Sequence, residues 1–227
     1  MDDPIAPLTA AEVRVLGSLI EKQITTPDYY PLTLNALTNA CNQLTNREPV
    51  VAFDETVIVR AIDGLREKRL ATLFSGAESR VAKYKHTLTD ALLLTPAEVA
   101  LLCVLMLRGP QTVGELRVRC ERLFKFDTLP ELEEALNALA SRQPQPLVTR
   151  LPRQPGTKES RYTQLLSGPI ESPAIAVTDT SARPELTPSA SKPSDERLAR
   201  VEAELAAVKQ ELATLKETFA EFRRQFE

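Results

Sequence analysis

Apolar residues recur every three to four positions near the start of the chain and again from residue 97 onward. Val13 and Leu16 mark one face of a helix in the first segment, and Val99 and Leu102 mark the same face 86 residues later. Each segment opens with a threonine that is followed three residues on by a glutamate, the pattern of a capping box. These pairs are Thr9 with Glu12 and Thr95 with Glu98. The pattern predicts two matching helices that open two matching halves.

The same order of elements recurs in both halves. Each has two further amphipathic helices and then two short strands, joined by a turn rich in Gly, Ser or Pro. The predicted strands span 70–74 and 80–88 in the first half, and 147–151 and 161–165 in the second. Three helices and a β-hairpin are typical of the winged-helix variant of helix-turn-helix. A period of about 80 residues is too long for a solenoid unit and indicates a duplicated domain.

We therefore predict a mainly α fold with small β-hairpins (α+β), built from two tandem winged-helix domains that each close their own apolar core. The predicted boundaries are 1–90 and 91–166 for the two domains. A Pro/Ser/Ala-rich linker, predicted to be disordered, follows at 167–194. A C-terminal coiled-coil helix is predicted at 195–227.

The C-terminal segment has apolar residues at alternating spacings of three and four, which predicts a coiled-coil seam. The seam consists of Leu198, Val201, Leu205, Val208, Leu212, Leu215, Phe219, Phe222 and Phe226. In a parallel pair the flanking charges meet with opposite sign, whereas an antiparallel pair would mostly place Glu204 against Glu211. We expect a parallel homo-oligomer, with dimer and higher oligomer both open. The alternative is a single amphipathic helix that docks on the chain's own winged helices.

Composition sets broad limits on the class of protein. Apolar residues make up 43% of the chain and its net charge is −3. Residues 1–90 carry a net charge of −2 and residues 91–168 of +2, so neither half has the strong basic excess that would by itself indicate nucleic-acid binding. The chain has no run of about 18 apolar residues and no signal-like start, so we expect a cytoplasmic protein without membrane contact. Cys41, Cys103 and Cys120 are odd in number and far apart, and we expect them to be buried small side chains rather than zinc ligands.

Basic residues on the predicted third helix and on the hairpins are the candidates for binding double-stranded DNA. The third helix of a winged helix usually enters the major groove, and the hairpins, or wings, can contact phosphates without reading bases. On the predicted third helix of the first half, the positive charge of the arginines is partly offset by Asp63 and Glu67. The full candidate set is Arg60, Arg66, Arg80, Lys83, Lys85, Arg150, Arg153, Lys158 and Arg161.

The predicted third helix of the second half has a different outward face. It presents Glu133, Glu134 and Asn137 and no cation, so DNA phosphates would meet like charge there. We interpret this face as a candidate surface for protein contact, and the alternative is a solvated face without a partner.

The sequence gives little support for catalysis. The only histidine, His86, is expected on the core-facing side of its strand with Tyr84 and Leu88. The chain contains no Gly-rich phosphate loop, no G-x-S-x-G motif and no carboxylate pair with metal-ligand spacing. We expect a protein that is not an enzyme and has no cofactor or metal.

Five irregular strings carry a resemblance to a known family. They are TPDYYPLTLNAL at 26–37, ACNQ at 40–43, NREPV at 46–50, SRVAKYKH at 79–86 and LPRQPG at 151–156. With them, residues 8–168 resemble the YceH-like family of uncharacterised bacterial proteins. The resemblance implies a tandem winged-helix fold in a bacterial protein, and it implies no activity, ligand or catalytic residue.

Two interpretations of the polar loop between the predicted second and third helices are open. Asn42, Gln43, Asn46 and Arg47 either brace this loop through buried polar contacts or form a surface that binds phosphate or peptide.

The leading functional hypothesis is a non-enzymatic, self-associating DNA-binding or transcription-related regulator that contacts nucleic acid through basic wings. Oligomerisation would raise the apparent affinity of several weak modules. The alternative is a scaffold or adaptor whose winged-helix surfaces bind an unidentified protein without contacting DNA.

Overall fold

The computed structural model describes residues 5–74, 81–153 and 159–168. The helices within these ranges are α1 (Ala10–Thr25), α2 (Leu34–Cys41), α3 (Glu55–Glu67), α4 (Leu88–Leu92), α5 (Pro96–Arg108), α6 (Val113–Cys120) and α7 (Leu129–Ser141). The strands are β1 (Leu32–Thr33), β2 (Ala71–Phe74), β3 (Lys83–His86), β4 (Val148–Arg150) and β5 (Tyr162–Gln164), and a 3₁₀ turn covers Pro27–Tyr29. The predicted α+β class, mainly helical with small antiparallel sheets, is confirmed. The predicted linker beyond residue 168 and the coiled-coil seam lie outside the described residues.

The two long buried helices begin as their sequences predict. The Thr9 hydroxyl accepts the backbone N–H of Glu12 at 3.2 Å, and the Glu12 carboxylate accepts the N–H of Thr9 at 2.7 Å. Thr95 and Glu98 form the same reciprocal pair at the start of α5, with distances of 3.3 and 2.8 Å. Both capping boxes are thereby confirmed, and each satisfies two backbone donors that a helix start leaves open.

Each half also places a short extended segment between its first two helices. In the first half, β1 pairs with β3, which pairs with β2, all antiparallel. In the second half, Gln111 forms an antiparallel bridge to Tyr162 of β5 just before α6, and β5 pairs with β4. The segment before the second helix therefore pairs with the last hairpin strand in both halves.

The second strand of the first hairpin is shorter than the prediction of 80–88. β3 ends at His86, and Leu88 instead begins α4 with its side chain fully buried. The Thr87 hydroxyl donates to the carbonyl of Arg69 at 2.8 Å, and its N–H donates to the carbonyl of Leu70 at 2.9 Å. These two bonds hold the chain where it turns from strand into helix, so including Leu88 in the strand was wrong.

The two halves share one apolar interior. Residues 12–20 of α1 and 98–107 of α5 are buried all the way round, and the two helices pack against each other. At Gly17 a Cβ atom would lie 2.9 Å from Cδ2 of Leu107, so the bare glycine allows this close approach. The buried apolar residues of both halves belong to one cluster within one compact unit. The expectation of a separate apolar core in each half is therefore wrong.

Candidate nucleic-acid interface

The outward side of α3 carries the first two basic candidates. The helix begins at Asp54, whose carboxylate accepts the N–H of Val57 at 2.8 Å, and it buries its apolar stripe against the core. Arg60 is exposed, and no carboxylate of the described ranges lies within ion-pair distance of it. Arg66 is exposed too, but it pairs with Asp63 at 3.0 Å. Of the two arginines, Arg60 is therefore the one without a competing carboxylate among the described residues.

The first hairpin sends its lysines outward. Lys83 lies opposite Phe74 and Lys85 opposite Thr72, so these side chains share one face of the sheet. Nζ of Lys85 lies 5.9 Å from the ring centroid of Phe74, within cation–π range. Both lysines are half-buried, and neither has an ion-pair partner among the described residues. The face combines positive charge with an exposed aromatic ring. Arg80 lies outside the described residues.

The second hairpin is less available than the sequence suggested. The guanidinium of Arg161 pairs with Glu115 at 2.8 Å and also donates to the carbonyl of Pro110 at 2.9 Å. Burial alone would raise the pKa of Glu115, but hydrogen bonding to Thr112 and the charge of Arg161 hold this pKa below its usual value. Arg161 therefore ties the hairpin to α6, and its guanidinium is already engaged by Glu115.

The remaining candidate binding residues of the second half are exposed on the surface, except one that lies outside the described residues. Arg150 and Arg153 are exposed, and Lys158 lies outside the described residues. On α7, Glu133, Glu134 and Asn137 are all exposed, as the outward face of this helix was predicted to be. Whether that face binds a protein stays a prediction.

The polar loop after α2 is braced, as the first of its two interpretations predicted. The Asn42 side chain makes two hydrogen bonds to the backbone of Phe53. Its Nδ2 donates to the Phe53 carbonyl at 2.8 Å, and its Oδ1 accepts from the Phe53 N–H at 2.9 Å. The side chain of Arg47 is fully buried; it donates to the Ala40 carbonyl at 2.8 Å and pairs with Glu21 at 2.6 Å. The loop is therefore anchored from inside and is not a free binding surface at these residues.

His86 is buried, as expected from its strand position. Its Nε2 hydrogen-bonds to Oε1 of Gln23, and its backbone N–H donates to the Tyr30 hydroxyl at 2.8 Å. Burial lowers the pKa of His86 to about 4, against the opposing charge of Asp90. The imidazole is therefore neutral near pH 7, and nothing in its described contacts forms a nucleophile–base pair.

All three cysteines are free and buried, which confirms the prediction. Burial raises the pKa of Cys41 to about 11 and that of Cys120 to about 12, so these two thiols are protonated and poorly reactive. Within the described ranges, no three His, Cys, Asp or Glu side chains approach one another as metal ligands would.

The sequence analysis missed one basic cluster. Five basic residues fall between positions 108 and 125, on the end of α5, on α6 and on the segment that follows; they are Arg108, Arg117, Arg119, Arg122 and Lys125. Their density along the sequence was a visible signal, but α6 is neither a third helix nor a wing, the elements through which a winged helix usually contacts DNA.

These elements define a mainly helical α+β protein with cations on its first hairpin and around α6. No helix of the described ranges is long and apolar enough to cross a membrane. The chain belongs to the family described as "Protein of unknown function, DUF480", whose family model matches residues 8–157.

Its relatives are bacterial proteins. The chain is 52% identical over 220 residues to a UPF0502 protein of Geotalea uraniireducens, covering 97% of this chain and 98% of the relative. It is 51% identical over 220 residues to a UPF0502 protein of Geobacter sulfurreducens, with the same coverage. A UPF0502 protein of Opitutus terrae is 56% identical over 187 residues, covering 82% of this chain and 79% of the relative. The resemblance to the YceH-like proteins stays a prediction.

Proposed function

We propose that this protein is a non-enzymatic, self-associating DNA-binding regulator built from two winged-helix units that contacts the DNA backbone mainly through its first half. The order of helix, short extended segment, two helices and hairpin in each half supports the winged-helix assignment. The heptad pattern of the C-terminal segment supports parallel self-association.

The observation that carries the proposal is the charge of the first hairpin. Lys83 and Lys85 project from one sheet face without an ion-pair partner among the described residues, and β2 packs on α3, the helix that carries Arg60. Cations without ion-pair partners are available to bind DNA phosphates, which releases the counterions condensed there. Half-buried lysine stems beside an exposed Phe74 are suited to contact the minor groove or its sugars.

A salt titration tests this proposal. Fluorescence anisotropy with a random duplex, repeated from about 50 to 200 mM salt, should show binding whose logarithm falls linearly with the logarithm of salt concentration. The double variant K83E/K85E should bind at least tenfold more weakly. The slope of the logarithm of affinity against the logarithm of salt concentration should become shallower by about two.

The control is the double variant R117E/K125E, which changes net charge equally on exposed residues of the second half. It should lose distinctly less affinity than K83E/K85E. Absence of binding by the wild-type protein at low salt, or equal losses in both variants, would contradict the proposal.

A second candidate function is a protein-interaction scaffold, and the exposed acidic face of α7 favours it. Glu133 and Glu134 stand side by side on this face without an ion-pair partner in the described structure. A basic partner surface would complement them. If no DNA binds in the titration above, cross-linking of the wild-type chain but not of E133K/E134K to one defined protein would support this function.

A further inference from the structure

A cavity opens between α1, α5 and α6, next to the basic residues that fall between positions 108 and 125. Its volume is about 270 Å³, and Val104, Leu107 and Leu123 contribute apolar walls. The first half contributes Glu21 and Asn46, whereas the arginines come from the second half. A concave site with apolar walls and a few converging polar groups is typical of a small-molecule site.

Positive charge at this cavity exceeds the carboxylates available to neutralise it. Arg108, Arg119 and Arg122 line it together with two glutamates, Glu21 and Glu121. The Glu21 carboxylate, however, already belongs to the buried guanidinium of Arg47, at 2.6 Å. Of the two lining carboxylates, Glu121 alone forms no ion pair within the described residues.

A further carboxylate, Glu115 of α6, lies near Arg119 and also contacts Arg161. Glu115 approaches Arg119 only to 3.8 Å, beyond hydrogen-bond distance, while it bonds Arg161 at 2.8 Å. Glu115 therefore divides its negative charge between Arg161 and Arg119.

The close hydrogen-bond partners of the two inner arginines are neutral. Arg108 donates to Oδ1 of Asn46, and Arg119 donates to Oε1 of Gln111. An amide oxygen satisfies an N–H but leaves the positive charge in place. Burial lowers the pKa of Arg108, and the charges of Arg119 and Arg47 also lower it, whereas the charges of Glu21 and Glu48 raise it.

We propose that this cavity binds the phosphate or carboxylate group of a small anionic molecule between Arg108 and Arg119, with Arg122 at the rim. Guanidinium groups hold such anions through paired hydrogen bonds, and a bound anion would remove the repulsion between the two arginines. Duplex DNA fits less well, because its backbone is convex and a cavity of this size admits a single small group. The proposal is independent of the DNA-binding function.

Anion titrations of the full-length protein without DNA test the proposal. Inorganic pyrophosphate and citrate are each added at constant ionic strength, while calorimetry and thermal unfolding are followed. At least one of them should bind with a dissociation constant below about 1 mM and raise the Tm. Pyrophosphate alone would indicate a phosphate ligand, and citrate alone a carboxylate ligand.

The double variant R108Q/R119Q should weaken this binding at least tenfold, since it removes two charge-assisted contacts. Without ligand it should melt at the same temperature as the wild-type protein or higher, because a repulsion has been removed. If it folds poorly, R122Q at the exposed rim should weaken binding several-fold with an unchanged Tm.

The matched control is R60Q/R66Q, which removes two exposed arginines of α3 and should leave anion binding intact. Three results would overturn the proposal. The first is that neither probe binds at concentrations up to about 10 mM. The second is that the wild-type protein and R108Q/R119Q bind the probes equally well. The third is that R108Q/R119Q loses affinity for duplex DNA but not for the anions.

Discussion

The Sγ atom of Cys103 donates a hydrogen bond to the carbonyl oxygen of Gly17 at 3.4 Å, and these two residues occupy equivalent positions, 86 residues apart, in the two repeated helices. The contact lies where α1 and α5 pack against each other. Each of these two helices therefore shields the other from solvent.

Gly17→Ala tests how tightly this crossing is packed. The added Cβ would lie 2.9 Å from Cδ2 of Leu107 and 3.2 Å from Cβ of Met106, so the Leu107 side chain or one of the two helices must shift. We expect the free energy of unfolding to fall by about 1–3 kcal/mol, measured by urea denaturation.

Gly114→Ala is the matched control, because the space around Gly114 is open and the residue is exposed. This variant should be as stable as the wild-type protein or more stable by a few tenths of a kcal/mol. Equal stability of both variants would show that the α1–α5 crossing tolerates a larger separation.

Arg47→Met should be strongly destabilising. It leaves the Ala40 carbonyl and the part-buried Glu21 carboxylate without their main partner, at a cost of about 3–5 kcal/mol. The double change E21Q/R47M should recover part of this loss. In contrast, Arg66→Met breaks only an exposed pair with Asp63 and should cost under about 1 kcal/mol. Similar losses for the two arginines would refute the bracing role of Arg47.

Asn42→Ala should loosen the loop between α2 and α3, because it removes both hydrogen bonds to the backbone of Phe53. We expect a loss of about 1–3 kcal/mol and faster amide exchange in residues 43–53. Asn39→Ala is the control, since Asn39 is exposed and bonds only the side chain of Asn35. It should change stability by less than about 0.5 kcal/mol, and an equal effect of the two variants would contradict the prediction.

Stability should fall as pH drops through the range in which His86 would normally titrate. The folded-state pKa of His86 is lowered to about 4 from an ordinary value of 6.5, so the unfolded chain binds a proton that the folded chain rejects. The full contribution is present above about pH 7, and about 2 kcal/mol is lost between pH 7 and 5. Denaturation curves at several pH values measure this slope.

His86→Gln should remove that slope, because His86 is the only histidine in the chain. Part-buried carboxylates such as Glu12 and Glu21, whose pKa values are held low, lose their contribution below about pH 4.5 in both proteins. Parallel profiles for the two proteins between pH 7 and 5 would contradict the prediction.

Local signals predicted the helices well. Thr9 with Glu12 and Thr95 with Glu98 identified two helix starts, because a capping box involves only residues within one turn. Alternation likewise predicted that Tyr84 and His86 lie on the core-facing side of their strand, where His86 is buried and Tyr84 packs against the apolar cluster. Apolar periodicity shows which faces must be buried, but not which element will cover them. It could not show that Gly17 meets Leu107, nor that Leu88 leaves the strand for a helix.

The sequence by itself determined the order of the elements, the caps and the inward faces, because these depend on neighbours a few positions away. Only the tertiary structure decided that the halves share one interior, that Arg161 pairs with Glu115, and that Arg108 and Arg119 line one cavity. Charge pairing and helix packing act through space, between groups that the chain brings together from distant positions.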